Sequence, residues 1–535
     1  MYPQPPRLTA LCLSLLAATA APELAQAQTK VAAAEAAPAS TDAQIIVIGL
    51  ARGQDGAMQQ TPPAQPGTPP SERTPERAPA NPAIRSYPRQ ADGHGIKLSG
   101  YNTSRWAEDW RGMRDPKKRD DILDRLKYLP IDADGDAYVT LSGEMRLRTT
   151  LVSNPGLVDS PYRREDLLRL VGGADVHVGP FRAYGELAHG GLAGVNYGTP
   201  AGKSRNTLIV QQAFGELGGP VGRATLGIRY GRQCFTDGSP QILAIRDDNS
   251  ILFVEQGVRA WAQLSRFRVD MFDFHHVTLG TGGTGDDVAD KSTRFSGVTG
   301  GIVLADSKTR KLFLDPYAWR ERNSKARWGS TTAREVRRHW GARLWGSLND
   351  LTIDWTLDRQ TGDFAGRDID AWSAYIAQTY QLSRKGLAPK IGVHVDYGSG
   401  GGAYDKGALH NGRFVTGGAI AYSYQGALSP SNLVQISPNV TISPAKTLDL
   451  TTEYQRSYRA TESDAVYKGN GTAYTGTQKI AGSHIGDAIR FQASWKIAPR
   501  VSLITRYEYF QPAGPLAKVK TTGSHYLSSW ISLRF

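Results

Sequence analysis

From Val139 to Leu151 the sequence changes character at every step. Val139, Leu141, Gly143, Met145, Leu147, Thr149 and Leu151 alternate with Thr140, Ser142, Glu144, Arg146, Arg148 and Thr150. A period of two belongs to an extended strand whose two faces meet different surroundings. The run is longer than the roughly 9–11 residues a tilted strand needs to cross a bilayer. The pattern returns in Leu351, Ile353, Trp355 and Leu357 against Thr352, Asp354, Thr356 and Asp358. It returns in Ile391, Val393, Val395 and Tyr397 against Gly392, His394 and Asp396, and in Ile489, Phe491, Ala493, Trp495 and Ile497 against Arg490, Gln492, Ser494 and Lys496. The chain ends on it. Leu527, Ile531, Leu533 and Phe535 share one face of the last segment, opposite Ser528, Trp530, Ser532 and Arg534. Between Met271 and His276 the alternation breaks, which predicts a bulge.

No mature segment offers the roughly 18 consecutive apolar residues of a spanning helix, and the mean hydropathy of −0.39 is that of a polar chain. Only helices and closed barrels satisfy backbone polar groups inside lipid, so a soluble β protein and a barrel are the two choices. The connections separate them. Short ones fall near Gly179-Pro180, 218–222, Ser265-Arg266, 306–308, Asn349, 383–386, 443–446 and Pro499-Arg500. Long ones fall near 153–165, 190–206, 234–253, 278–293, 323–337, 361–368, 399–430, 459–485 and 512–523, in strict alternation with the short. A sandwich has no reason to alternate in this way, whereas outer-membrane barrels have short periplasmic turns and longer outer loops. The reading is therefore all-β: a transmembrane antiparallel β-barrel of about eighteen strands over 136–535, with both termini on the periplasmic side. Phe414 to Tyr424 is left in a loop.

Ahead of the barrel, 1–27 reads as a secretory signal, with Arg7, the apolar run Leu8 to Ala21 and the small-residue site Ala25-Gln26-Ala27. From 28 to 98 the chain is rich in Ala, Pro and Gln and has too few large apolar residues to fold, which predicts a disordered periplasmic tether. Within it, Ile45 to Ile48 loosely resembles the energy-coupling box of TonB-dependent receptors, and reads instead as a stray β-prone tetrapeptide. Residues 99–135 form a pre-barrel piece with a short helix opened by Asp115-Pro116. Ile122, Leu123, Leu126 and Leu129 share one face of it, packing against the barrel base. Cys12 falls in the signal, so Cys234 is alone and no intrachain disulfide forms. Cys234 is expected in an outer loop, open to reagents from outside.

The alternation assigns the lumen nine arginines: Arg146, Arg148, Arg169, Arg182, Arg229, Arg259, Arg343, Arg490 and Arg506. Glu144, Glu186, Asp354, Asp358 and Glu508 are interleaved with them. Arginine stays charged and grips a carboxylate with two parallel hydrogen bonds, and rings of Arg and Lys favour anions in pores. The net charge of +13 agrees with an anionic partner. The same charges could equally pair across the wall. No nucleophile–base set, metal-ligand motif or phosphate loop is found, so neither an enzyme nor a cofactor is expected. His275-His276 reads as a loop-end pair. The single Gly282 to Asp287 repeat resembles one calcium-binding nonapeptide and reads as a flexible outer loop, leaving calcium there as the one cation to consider.

From Tyr101 to Phe535 the chain resembles the alginate-export outer-membrane porins, which are eighteen-stranded. Arg105-Trp106, Glu108-Asp109 and Arg114-Asp115-Pro116 are similar to the family's pre-barrel segment. Arg229-Tyr230-Gly231-Arg232-Gln233 with Arg246 and Asn249 resembles its strand-to-loop signature. Gly341-Ala342-Arg343, Gln360-Thr361-Gly362-Asp363-Phe364, Ser431-Asn432-Leu433, Asp464-Ala465-Val466-Tyr467 and Phe510-Gln511-Pro512 match later positions. The chain departs from the family in Ala513 between Pro512 and Gly514, in Ser399-Gly400-Gly401-Gly402 where an Asp is expected, and in its Pro-rich tether. The resemblance implies an outer-membrane porin passing an anionic uronate polymer, most simply alginate in export, without catalysis by the barrel. It implies as partners the polysaccharide, outer-membrane lipids and periplasmic scaffold proteins of a secretion complex, with no nucleic acid and a monomeric barrel. Uptake of small acidic nutrients and a barrel-anchored enzyme or adhesin are the alternatives.

Overall fold

Eighteen antiparallel strands close on themselves. In this computed structural model, residues 87–92, 100–197, 200–416 and 419–535 are described; the signal and the tether to residue 86 lie outside them. The first half of the wall is β1 (Ala137–Val152), β2 (Arg163–Val178), β3 (Phe181–Val195), β4 (Asn206–Val221), β5 (Ala224–Gln233), β6 (Glu255–Gln263), β7 (Phe267–Thr278), β8 (Thr293–Asp306) and β9 (Arg310–Trp328). The second is β10 (Thr331–Leu348), β11 (Leu351–Phe364), β12 (Arg367–Gln381), β13 (Lys390–Gly398), β14 (Leu433–Ala445), β15 (Leu448–Tyr458), β16 (His484–Ala498), β17 (Val501–Pro512) and β18 (Ser524–Arg534). Each strand pairs with the next. β18 returns to β1 with Leu533 opposite Met145 and Ile531 opposite Leu147, so no edge is left unpaired inside lipid. The terminal Phe535 completes the seam: Gly143 and Phe535 exchange backbone hydrogen bonds of 2.9 and 3.1 Å. The Phe535 ring lies where a side chain at 143 would stand.

Period two sorts the faces as the sequence implies. Met145, Leu147, Leu170, Leu187, Leu357 and Ile489 are exposed on the outside, while Thr140, Ser142, Glu144, Arg146, Arg148 and Thr150 are buried inside. Two expected long connections are absent. Trp328 is followed by a two-residue turn, Gly329-Ser330, and Phe364 by Ala365-Gly366. Gly329, Ala365 and Gly366 all take the positive φ that tight hairpins require. These hairpins stand tall because their tips have apolar partners: Ala326, Trp328, Phe364, Ile369, Leu409 and Tyr467 pack together. Charged outer positions made the strands read as loop. The bulge expected near Met271–His276 is also absent, and β7 pairs without a break with β6 and β8. Its alternation is masked because Phe272 and Phe274 face inward, against Phe235, Ile242 and Leu243 of a loop.

That loop, 234–254, and the loop 399–432 fold into the barrel rather than away from it. Their backbones meet where Val415 and Thr416 N–H groups donate to the Ile242 carbonyl at 3.1 and 3.2 Å. Among the described residues of Phe414 to Tyr424 no strand forms, as expected, and Ile420, Tyr422 and Tyr424 join a core that includes Val152, Phe510 and Tyr526. Cys234, expected to be open to the outside, is buried with Leu252 and Val254.

The other end is filled by the chain before the barrel. Tyr87 and Ala91, inside the stretch expected to be disordered, pack with Val303, Phe313 and Trp345, and Trp106 packs with Tyr184 and Phe214. The short helix does not form. Only 3-10 turns occur, at Arg111–Arg114, Pro116–Lys118 and Leu123–Lys127, and Ile122 is exposed. The Asp124 carboxylate accepts from Asp120 N–H at 2.8 Å, and Asp121 accepts from Leu123 N–H at 2.8 Å. Side-chain bonds of this kind divert backbone donors that a helix would use.

Candidate functional site

All nine arginines and all five acids reach the lumen side, and every arginine finds an oxygen partner. Arg146, Arg169 and Arg534 converge on Asp247 of the inward loop at 3.1, 2.8 and 3.6 Å. Arg506 pairs with Asp248 at 2.9 Å, and Arg148 donates to the Asp248 carbonyl and to the Thr150 hydroxyl. Arg343 pairs with Asp354 at 2.7 Å and donates to the Gly238 carbonyl at 3.0 Å. Five of the nine therefore hold the 234–254 loop. Arg490 holds the other loop, donating to the Ile420 and Ala421 carbonyls at 2.8 and 2.9 Å while pairing with Glu453 at 2.9 Å. Glu508 does the same from β17, accepting from the Ser423 hydroxyl at 2.7 Å and from the Tyr424 N–H.

The remaining three serve the wall. Arg259 pairs with Asp270, and Arg182 with Asp175 at the turn end. Arg229 pairs with Glu216 at 2.5 Å and lies against both Trp106 and Phe214, 3.8 and 4.0 Å from their ring centres. An unobstructed arginine-lined channel is thus not the arrangement present. The basic wall is occupied by the protein's own carboxylates and carbonyls, and eight of the nine arginines are buried. Of the acids, Asp358 accepts from His339 at 2.9 Å and Gln360 at 2.7 Å.

Glu144 joins the two ends. It lies 3.0 Å from Arg146, 3.6 Å from Arg169 and 3.3 Å from Arg534, and it also takes Arg105 of the pre-barrel segment. Arg105 reaches Glu186 as well, at 3.1 Å. Burial raises the Asp247 carboxyl, and Arg146, Arg169 and Arg534 more than reverse it, holding the group below the usual carboxylate range.

Asp247, Asp248, Arg268 and Arg337 stand among the residues of the site that lie outside the expected nine arginines and five acids. Arg268 pairs with Asp237 and Asp270, both at 2.6 Å, and donates to the Ala91 carbonyl at 3.0 Å, so it ties loop, wall and pre-barrel segment together. Its place beside Asp270 in the alternation of Phe267, Val269 and Met271, ahead of the masked part of β7, is the signal that points to it. Arg337, paired with Glu335 at 3.0 Å, was hidden in a stretch read as loop.

The scattered motifs meet in space. Asp464 accepts from Gly401 N–H at 2.8 Å and Asn411 Nδ2 at 2.6 Å, and Asn432, at positive φ, donates to the Thr461 and Ala465 carbonyls at 3.1 and 3.0 Å. Arg246 donates to the Thr416 carbonyl at 2.7 Å. Asp286 and Asp287 cap backbone N–H groups of their own loop. Among the described residues no cluster of three or more His, Cys, Asp or Glu could hold a metal ion.

No curated protein matches the chain in sequence. Among solved structures, OccAB1 of Acinetobacter baumannii is similar at 11% identity and a TM-score of 0.51, covering 77% of this chain and 99% of that one. OccD3 (OpdP) of Pseudomonas aeruginosa is similar at 11% identity and 0.50, covering 77% and 93%. At such identity the likeness bears on the fold. The sequence profile for alginate export matches residues 173–527, and with a closed barrel of eighteen strands the chain belongs to the alginate export family, porins of the bacterial outer membrane.

Proposed function

We propose that the barrel is a passive conduit for an anionic polysaccharide, alginate or a similar polyuronate in export, and that the 234–254 loop closes it. The observation that carries this reading is the convergence of Arg146, Arg169 and Arg534 on Asp247 and of Arg506 on Asp248. Two aspartates on a removable loop hold four wall arginines. When the loop leaves, those arginines face the lumen without counter-charges, and each uronate carboxylate can take the place of an aspartate. At an effective dielectric of about 20, a pair at 4 Å is worth roughly 4 kcal/mol against about 1 in water. A confined polymer is therefore attracted, and exchange between neighbouring arginines lets it move on. Direction is set by the supply of polymer, not by the pore.

Planar-bilayer conductance of the Asp247→Asn, Asp248→Asn protein tests this. The expected result is higher conductance, stronger anion preference and deeper block by polyuronate than in the wild type. Unchanged conductance, or a larger anion-preferring pore that polyuronate does not block, would favour the second reading, a path for small acidic nutrients. That reading is supported by the inward folding of both loops, which takes up part of the lumen.

A further inference from the structure

On the outside of the barrel, four arginines are placed where a β-sheet should not tolerate them. Arg320 stands directly opposite Arg338 across the β9–β10 pair, and Arg294 directly opposite Arg322 across β8–β9. Like charges in direct cross-strand register repel. Arg322, Arg338, Arg334 and Arg294 all act on Arg320 electrostatically. Inward positions of these strands are Phe295, Trp319, Glu321, Glu335, Arg337 and His339, all buried, so Arg294, Arg320, Arg322, Arg334 and Arg338 point away from the lumen. Arg294 is matched by Asp273 at 2.7 Å. Among the described residues, Arg320, Arg322, Arg334 and Arg338 have no acidic partner within 4.0 Å, and nearby Asp363, opposite Val336, forms no ion pair with them.

Their height is informative. Arg320 lies ten residues along from Arg310, and Arg338 ten residues back from Leu348, at the turn ends of β9 and β10. At about 3.3 Å per residue and a tilt of about 40°, both stand about 25 Å above the turns. That is the height of the apolar band of an outer-membrane barrel. Trp340, 54% exposed, and Val298 lie just below on the same face, as interfacial and lipid-facing residues should. The arginines are therefore at the head-group level of the outer leaflet.

We propose that this patch is a binding site for the phosphates of an outer-leaflet glycolipid, a phosphorylated lipid A head group. Arginine grips phosphate with a bidentate fork, and a bisphosphorylated head group supplies the counter-charge that Arg320, Arg322, Arg334 and Arg338 lack. Its acyl chains would lie on Val298, Trp340 and Leu357. The site is distinct from the lumen and does not depend on what the pore carries.

The test is the unfolding midpoint of the full-length barrel in detergent, titrated with bisphosphorylated lipid A, with dephosphorylated lipid A, or with inorganic phosphate. The wild-type midpoint should rise with the first and not with the other two. In Arg320→Gln, Arg338→Gln the midpoint without lipid should equal or exceed wild type, because repulsion is relieved, and the lipid-dependent rise should vanish. Arg320→Lys, Arg338→Lys should keep most of the rise. If the glutamine variant folds poorly, Arg322→Gln, Arg334→Gln offers the same readout from the other side of the patch. An equal rise in wild type and variants, an equal rise with dephosphorylated lipid, or an equal rise with free phosphate would overturn the assignment.

Discussion

Lys127 shows at the scale of one residue what the sequence does not announce. It is fully buried, 3.6 Å from Glu108 and 4.8 to 5.8 Å from the ring centres of Trp110, Tyr101 and Phe535. Burial favours the neutral amine and lowers its pKa to about 8, against the pull of Glu108. A depressed lysine pKa means the unfolded chain binds the extra proton between about 8 and 10.5. Stability therefore rises with pH across that window, by at most about 3 kcal/mol, and the gain is absent below it. Hydrogen exchange of 100–128 should slow between pH 7.5 and 9.5, beyond the intrinsic base dependence, in wild type more than in Lys127→Met. An equal response in both proteins would mean that the aromatic rings hold the ammonium charged. The lumen arginines were legible because parity alone places them: Arg146 and Arg148 must face the way Glu144 faces. Their partners were not, because Asp247 and Asp248 sit a hundred residues away in a loop whose path no periodicity records. Replacing Arg146 and Arg148 with Ala strands Asp247 and Glu144 beside fewer cations. Losing one partner of a buried pair costs about 3–5 kcal/mol. That loss falls on the loop contact, so conductance should rise while anion preference drops and the barrel stays heat-resistant on a gel.

At the scale of elements, the strands were readable and the loops were not. Strands in a lipid wall must alternate, so Leu351 to Asp358 or Ile489 to Lys496 declare themselves, and the turns at Gly179-Pro180 and Pro499-Arg500 fall where the pattern stops. The pattern fails where a loop covers the inner face. Phe272 and Phe274 are inward and apolar because Phe235, Ile242 and Leu243 lie on them, and the tall Trp328 hairpin looks like loop because its partners come from distant residues. Such contacts are tertiary, and local sequence has no record of them. They also reverse one expectation from topology. Cys234 follows β5 at the outer end but is packed with Leu252 and Val254, and burial raises its thiol pKa well above the usual value. An impermeant thiol reagent should therefore leave Cys234 unlabelled in whole cells and in spheroplasts alike. Phe235→Ala, which removes a ring at the centre of the inward cluster and should cost about 3–5 kcal/mol there, should make Cys234 reactive from outside. Labelling of the wild type at the rate of a free thiol would mean the loop spends much of its time outside the barrel.

At the scale of the whole molecule, two segments enter the barrel from opposite ends and Glu144 contacts the anchors of both. The 234–254 loop enters from the loop end and is held through Arg146, Arg169 and Arg534. The pre-barrel segment enters from the turn end, with Arg105 on Glu144 and Glu186, Trp106 against Arg229, and Ala91 on Arg268. Two obstructions along one path behave as resistances in series, so the tighter one sets the current. Removing the chain from Gln28 to Asp109 frees the turn end, and Asp247→Asn with Asp248→Asn frees the loop end. Each change alone should raise conductance modestly, and the two together should raise it by more than the sum. The deletion should have a second effect, since withdrawing Arg105 leaves Glu144 to compete for Arg146, Arg169 and Arg534, loosening Asp247. Flicker between current levels should therefore be faster in the deletion protein than in wild type, even with both aspartates present. If the deletion alone gives the full conductance of the combined protein, the loop is no barrier and the arginines of the upper lumen act only as its anchors. If the aspartate changes alone do so, the pre-barrel segment leaves the path unobstructed, and its contacts with Glu144, Glu186 and Arg229 serve to position it beneath the barrel.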